Sequence, residues 1–231
     1  MKIAHWLLGI CLLIFLMVAI GSITRLTGSG LSMVDWHPAT GLTAHLMLAV
    51  AIYSYILWVA LGLLAEDRPA TGYTMDIDKL TGKSLMLLVL VIITMVSGGF
   101  VAGLKAGLIY NTFPLMGDTL IAPGVYFLSP WYLSALEDAV TVQFNHRLLA
   151  LTSVFLIVGF YFYSHKLELP SQTKNLLILV LFAGIVQVGL GISTLLLRVS
   201  VLLGASHQAG ALILLSSLLL LHHHLKNTKP V

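Results

Sequence analysis

The chain has 231 residues, of which 58% are hydrophobic and only 9% are charged, and its mean hydropathy is +0.99. A water-soluble domain has no use for so much apolar surface, so this composition excludes that class and predicts a polytopic membrane protein. The net charge of +3 follows from membrane topology and gives no indication of nucleic-acid binding.

Six apolar runs follow one another along the chain, and each is about 20 residues long, which as a helix spans roughly 30 Å of hydrocarbon. They cover residues 3–23, 42–64, 83–103, 140–163, 174–196 and 203–221. No alternation of apolar and polar residues is present, so we predict an all-α bundle of six transmembrane helices. The first run lacks a cleavage site followed by a polar region, which favours a retained helix over a signal peptide.

Basic residues are distributed unevenly between the two sides of this six-span arrangement, in which both termini share one side. That side carries Lys2, Arg68, Lys79, Lys83, Lys166, Lys174, Lys226 and Lys229. The other side carries Arg25, Lys105 and Arg198. The positive-inside rule therefore predicts that both termini are cytoplasmic.

The connections on the outer side differ in character. The first, residues 21–41, is rich in Gly, Ser and Thr and contains Arg25, which either lies at the interface or contacts a substrate. The second, residues 104–139, is long enough to cover a site, although an ordinary connector has the same appearance. The single cysteine, Cys11, lies within the first span and is expected to be a packing residue.

Three histidines are placed near the outer ends of spans that run inward. His45 lies in the second span, His146 in the stretch TVQFNHRLLA of the fourth, and His207 in the stretch GASHQAG of the sixth. Each falls about 5–10 Å inside the outer boundary at the rise of an α-helix. Ionisable groups in hydrocarbon indicate function, and two imidazoles on two helices can hold one haem iron, so we predict a site of His146 and His207. The alternative is that each histidine is a structural group.

The remaining histidine cluster, residues 222–224, lies at the opposite, cytoplasmic end of the last span, where we expect a solvated interfacial run. An internal repeat is also visible. Residues 21–36 align with 98–113, and residues 43–49 align with 205–211, which pairs His45 with His207. We therefore predict two related halves of unequal size, residues 1–82 with two spans and residues 83–231 with four.

Five stretches together resemble the haem A synthase family. They are TRLTGSGLSMVDWHPATG, GLIYNTFPLMGDTLIAPG, SPWYL, TVQFNHRLLA and LGISTLLLRVSVLLGASHQAG. Family members are eight-helix membrane oxidoreductases that convert the C8 methyl of haem O to a formyl group, yielding haem A for cytochrome oxidase assembly. The resemblance implies a bacterial inner-membrane location and a haem b whose iron is held by His146 and His207, with Arg147 and Arg198 beside it. It also implies that the substrate, haem O, lies near His45 and Arg25.

One departure from the family pattern concerns the chemistry. In the family, the segment matching residues 35–41 leads to a helix with a Glu-x-x-His-Arg-like motif and then to another helix, but here Gly41 runs directly into the span of His45. The family's proposed catalytic glutamate and a second substrate-haem ligand therefore have no counterpart. Glu137 and Asp138 lie outside a span and Asp35 lies in a loop, so no catalytic residue is assigned.

Three functions stay open on this basis. The chain is a shortened haem A synthase acting on haem O, a haem b-binding membrane protein without catalysis, or a transporter or structural subunit without a cofactor. The resemblance implies haem O and the lipid bilayer as partners. A haem O synthase, terminal oxidase assembly factors and a second copy of the chain are further candidate partners.

Overall fold

The computed structural model describes residues 2–28, 38–65 and 75–228, so Asp35, Arg68 and Lys229 lie outside the described residues. The helices are α1 (Lys2–Leu26), α2 (Pro38–Ala65), α3 (Met75–Gly103), a 3-10 turn (Ala106–Leu108), α4 (Trp131–Glu137), α5 (Ala139–His165), α6 (Ser171–Leu196) and α7 (Val201–Asn227). No strand is formed by these residues. Six of the helices are long and apolar enough to cross a membrane, which confirms the predicted six-span helical bundle.

The six long helices form a closed ring of contacts, in which α7 also contacts helices that are not its neighbours in the ring. Each helix packs on the next in the order α1, α2, α3, α5, α6 and α7, and α7 packs back on α1. In addition, α7 contacts α2 and α3 across the ring. Since lipid gives no hydrophobic drive for association, such packing depends on small residues that let backbones approach closely. Gly103 of α3, whose position has no room for a side chain, lies directly against the backbone of Ala39 in α2.

The two halves of the bundle differ along its length. The half toward the C-terminal end of α7 is filled by apolar side chains, including the fully buried Leu215, Leu218 and Leu221. Toward the N-terminal end of α7 the residues are small, and Gly204 and Ala211 line an open cavity instead. The bundle is thus solid at one end and hollow at the other.

The expectation that residues 222–224 form a solvated run is wrong for His222 and His223, which are buried. His222 Nδ1 lies 2.9 Å from Ser84 Oγ in α3, and the His223 ring meets the Trp58 ring of α2 edge-on. His224 Nε2 lies 2.9 Å from Thr173 Oγ1 in α6. Because successive residues of a helix point in different directions and α7 is central, one turn of α7 is tied to three neighbours.

The start of α5 is fixed by Asp138, whose Oδ2 accepts hydrogen bonds from the backbone N–H (2.8 Å) and hydroxyl (2.5 Å) of Thr141. We expect Asp138→Ala to destabilise the fold by about 1–2 kcal/mol, the usual loss for a helix N-cap. The measurement is the Tm of the purified protein in detergent. Glu137→Ala, at the exposed neighbouring position, is the control and should leave the Tm unchanged. Equal Tm values for the two variants would contradict this capping role.

Candidate functional site

One cavity of about 1720 Å³ occupies the hollow end of the bundle. All six side chains that the sequence predicts as site residues line it: His45, His146, His207, Arg25, Arg147 and Arg198. The expected haem b residues and the expected substrate-haem residues therefore face the same space and are not divided between two cavities.

The three histidines lie at similar depth because their helices begin at the same end. His45, His146 and His207 are seven, seven and six residues beyond the first residues of α2, α5 and α7. At the rise of an α-helix, this places each of them roughly 10 Å from its helix start. His146 and His207 line the same cavity. His45 is exposed at the cavity wall.

The ring of His146 is held by α3. Its Nδ1 lies 2.8 Å from Ser97 Oγ. Gly98 makes this approach possible, because a Cβ at that position would lie 3.1 Å from Cε1 of the ring. A serine and a glycine side by side thus fix one imidazole against the helix backbone.

The ring of His207 is held by α6 in a similar manner. Its Nδ1 lies 3.1 Å from Gln187 Nε2, which also donates to the His207 carbonyl at 3.0 Å. A Cβ added to Gly191 would lie 2.9 Å from Cε1 of the ring. Each of the two imidazoles therefore lies against a glycine of a neighbouring helix.

The lining of the cavity is mostly apolar and includes four cations, Arg25, Lys105, Arg147 and Arg198. Among the described residues that line it, none is an aspartate or glutamate. Arg25 donates one hydrogen bond, from Nη1 to the Ala102 carbonyl at 3.2 Å. Arg198 is exposed and its guanidinium makes no hydrogen bond or ion pair within the part of the chain that the structure describes. Fixed cations without neighbouring carboxylates favour an anionic ligand, and guanidinium groups suit carboxylates.

Arg147 has a different set of contacts from the other cations. Its Nη1 donates to the carbonyls of Thr112 (2.9 Å) and Leu115 (3.1 Å), and its Nη2 donates to the carbonyl of Tyr110 (2.8 Å). Gln143 Nε2 donates to the same Tyr110 carbonyl at 3.0 Å. The connection formed by residues 104–139 is thereby fastened to α5, and its Leu108 and Phe113 line the cavity. This contact set is a structural role that the sequence did not indicate for Arg147.

Gln143, Gln187, Ser97 and Lys105 are polar residues of the site that were not predicted, whereas Arg147 was. Gln143 Oε1, Gln187 Oε1 and Arg147 Nε are buried and have no hydrogen-bond partner among the described residues. Both glutamines and Lys105 line the cavity. Gln143 lies one turn before His146, a spacing that places both on one helix face and could have revealed it. For Ser97 and Gln187 the sequence carries no such signal, because their histidine partners are on other helices.

The chain is similar in sequence to several known proteins. The sequence model of the family described as cytochrome oxidase assembly protein matches residues 4–44 and 39–219. The chain belongs to this family. A relative named heme A synthase from Nitrosomonas eutropha is 30% identical over 326 residues, covering 94% of this chain and 92% of the relative. That alignment is longer than the chain itself, so a stretch of the relative has no counterpart here.

The alignments with two other relatives cover a shorter part of this chain. Heme A synthase from Nitrosospira multiformis is 45% identical over 185 residues, which are 80% of this chain and 52% of the relative. Human heme A synthase COX15 is 41% identical over 187 residues, 80% of this chain and 45% of the relative. The chain thus spans about half the length of these two relatives. The resemblance to haem A synthases noted in the sequence is confirmed.

Proposed function

We propose that this chain binds a haem b between His146 and His207 and acts in haem A biosynthesis, with haem O as its substrate. The observation that carries the proposal is that two imidazoles, each fixed by a neighbouring helix, face one apolar cavity with a cationic rim. A haem matches these features. It has an apolar macrocycle, two propionates that suit the cations, and an iron that binds imidazole nitrogen.

The histidines, glycines and arginines of the cavity have different roles in this proposal. His146 and His207 hold the iron, and the glycines against their rings, Gly98 and Gly191, keep the imidazoles in place. Arg25 and Arg198 pair with carboxylates at the rim, and Arg147 holds the outer connection over the cavity. The bound haem supplies one-electron redox chemistry. The oxidation of the C8 methyl of haem O to a formyl group, and a role for His45 beside the substrate haem, belong to the same proposal.

A second candidate function is haem b binding without catalysis, as a degenerate paralogue, an electron-transfer protein or an assembly factor. It is favoured by the lack of a carboxylate among the described residues of the cavity wall and by the stretch of the relatives that this chain does not match. In either case we place both termini in the cytoplasm of a bacterial cell and the cavity toward the outer face of its inner membrane.

The test is to express the chain with a haem O synthase and purify it in detergent. Its reduced-minus-oxidised spectrum is then recorded and its haem is typed as the pyridine haemochrome. We expect a b-type signal that His146→Ala and His207→Ala each reduce at least tenfold, because each would remove a proposed ligand of the iron. His165→Ala, at the exposed far end of α5, is the control and should retain the signal.

The accompanying pigments separate the two candidates. Haem O or haem A beside the b-type signal supports a synthase, whereas haem b alone supports binding without catalysis. A colourless wild-type protein would overturn both.

A further inference from the structure

Resting on the proposed haem site, we infer that Ser97 is a positioning residue that fixes the proton of His146 on Nδ1 and presents Nε2 to the iron. Only a deprotonated ring nitrogen can ligate iron, so the location of the single proton of a neutral imidazole decides whether the ligand is ready to bind. The hydrogen bonds around Ser97 determine that location.

A serine hydroxyl has one hydrogen to donate. Ser97 Oγ lies 2.7 Å from the Thr94 carbonyl, which can only accept, so the serine hydrogen is directed there. Toward His146 Nδ1, at 2.8 Å, the same oxygen must therefore accept, and Nδ1 carries the hydrogen. The lone pair is left on Nε2.

The two imidazoles are not supported equally. His207 Nδ1 faces the Gln187 amide nitrogen, which is a donor and brings no acceptor to that ring nitrogen. Only the Nδ1 of His146 has a hydroxyl oxygen beside it. A hydrogen bond accepted from the outer nitrogen of a ligating imidazole raises its basicity and fixes the ring orientation. Ser97 is therefore the group that makes His146 the stronger donor of the pair.

The same arrangement recurs on α3 away from the cavity and provides a matched control. Ser84 Oγ donates to the Thr81 carbonyl at 2.8 Å and lies 2.9 Å from His222 Nδ1. His222 does not line the cavity, and it lies fifteen residues beyond His207 on α7, roughly 22 Å along the helix. Loss of the Ser84 hydroxyl removes the corresponding two hydrogen bonds from α3 and leaves the surroundings of His146 unchanged.

The experiment compares wild type with Ser97→Ala, Ser97→Thr and Ser84→Ala, each purified with its haem b. Two quantities are measured: the rate of haem transfer to excess apomyoglobin and the reduction midpoint potential. For Ser97→Ala we expect transfer about 10 to 100 times faster, the usual effect of losing a partner of a metal ligand. We also expect a higher midpoint potential, because a less basic imidazole stabilises ferric iron less.

Ser97→Thr, which keeps the hydroxyl, should resemble wild type in both quantities, and so should Ser84→Ala. A Ser97→Ala protein with wild-type transfer rate and potential would overturn the inference while leaving the haem site standing. Equal changes in Ser97→Ala and Ser84→Ala would overturn it too, because the effect would then be one of general stability. Wild type that contains no haem would overturn the inference together with the proposed function.

Discussion

Gly191→Ala is expected to remove most of the bound haem while leaving the helical bundle folded. The added methyl group would lie 2.9 Å from Cε1 of His207, closer than carbon atoms in van der Waals contact. The backbone of α6 is held by its own hydrogen bonds, so the imidazole moves instead. A displaced imidazole also loses its contact with Gln187 Nε2. We expect haem content at least tenfold below wild type and a spectrum that no longer shows two histidine ligands.

Two glycines serve as comparisons for this variant. Gly98→Ala would place its methyl 3.1 Å from Cε1 of His146, a milder contact, and should cause a smaller loss of haem. Gly189→Ala, two residues from Gly191 on the same helix, meets nothing within 4 Å and should retain haem and stability, since alanine is the better helix former. If Gly191→Ala and Gly189→Ala proteins retained equal amounts of haem, the proposed placement of His207 at the iron would be contradicted.

The six helices were predictable because hydrocarbon imposes a minimum length on each apolar run. The predicted bounds are too short, however: residues 140–163 became Ala139–His165 and residues 174–196 became Ser171–Leu196. Hydropathy marks only the part of a helix inside the hydrocarbon, while the hydrogen-bond ladder continues into the interface. The short helix Trp131–Glu137 was missed because it is not an apolar run.

The shared depth of His45, His146 and His207 was also predictable, since counting residues from the start of a helix gives depth. Which residues lie beside each imidazole was not. Ser97 and Gln187 belong to other helices than their histidines, and contacts between helices depend on how each helix is rotated in the bundle. His222 was misjudged for the same reason, because a position at the end of a span is solvated only when that helix is not central.

The structure links the candidate chemistry to one end of the bundle. The C-terminal half of α7 buries leucines in the core and contacts α3 and α6, whereas its N-terminal half contributes small residues and His207 to the cavity. The helix starts of α2, α5 and α7 lie at this hollow end, and four cations line the cavity there. We therefore expect these cations to orient a ligand that has an apolar body and carboxylate groups, as the proposed haem has.

Arg147→Ala is expected to release the outer connection from the bundle. The guanidinium donates three hydrogen bonds to the carbonyls of Tyr110, Thr112 and Leu115, and charge-assisted bonds of this kind are worth about 1.5–3 kcal/mol each. The amides of Met116 and Gly117 are bonded within the same loop, to the Thr119 carbonyl and the Thr112 hydroxyl. We expect both amides to exchange with deuterium at least tenfold faster in the variant, because local opening of the loop becomes easier.

The control is Arg198→Ala, which removes the same charge from the cavity rim but breaks no hydrogen bond among the described residues. Its exchange at Met116 and Gly117 should match wild type. Amide exchange in Arg147→Lys should be nearly as fast as in Arg147→Ala, since a single ammonium group cannot reproduce the hydrogen bonds of a guanidinium to three carbonyls.

Leu108 and Phe113 of this connection line the cavity, so releasing the connection admits water to the site. Haem should then dissociate faster from Arg147→Ala than from Arg198→Ala. Wild-type exchange in Arg147→Ala would mean that other contacts hold the connection and that Arg147 is free to pair with a propionate.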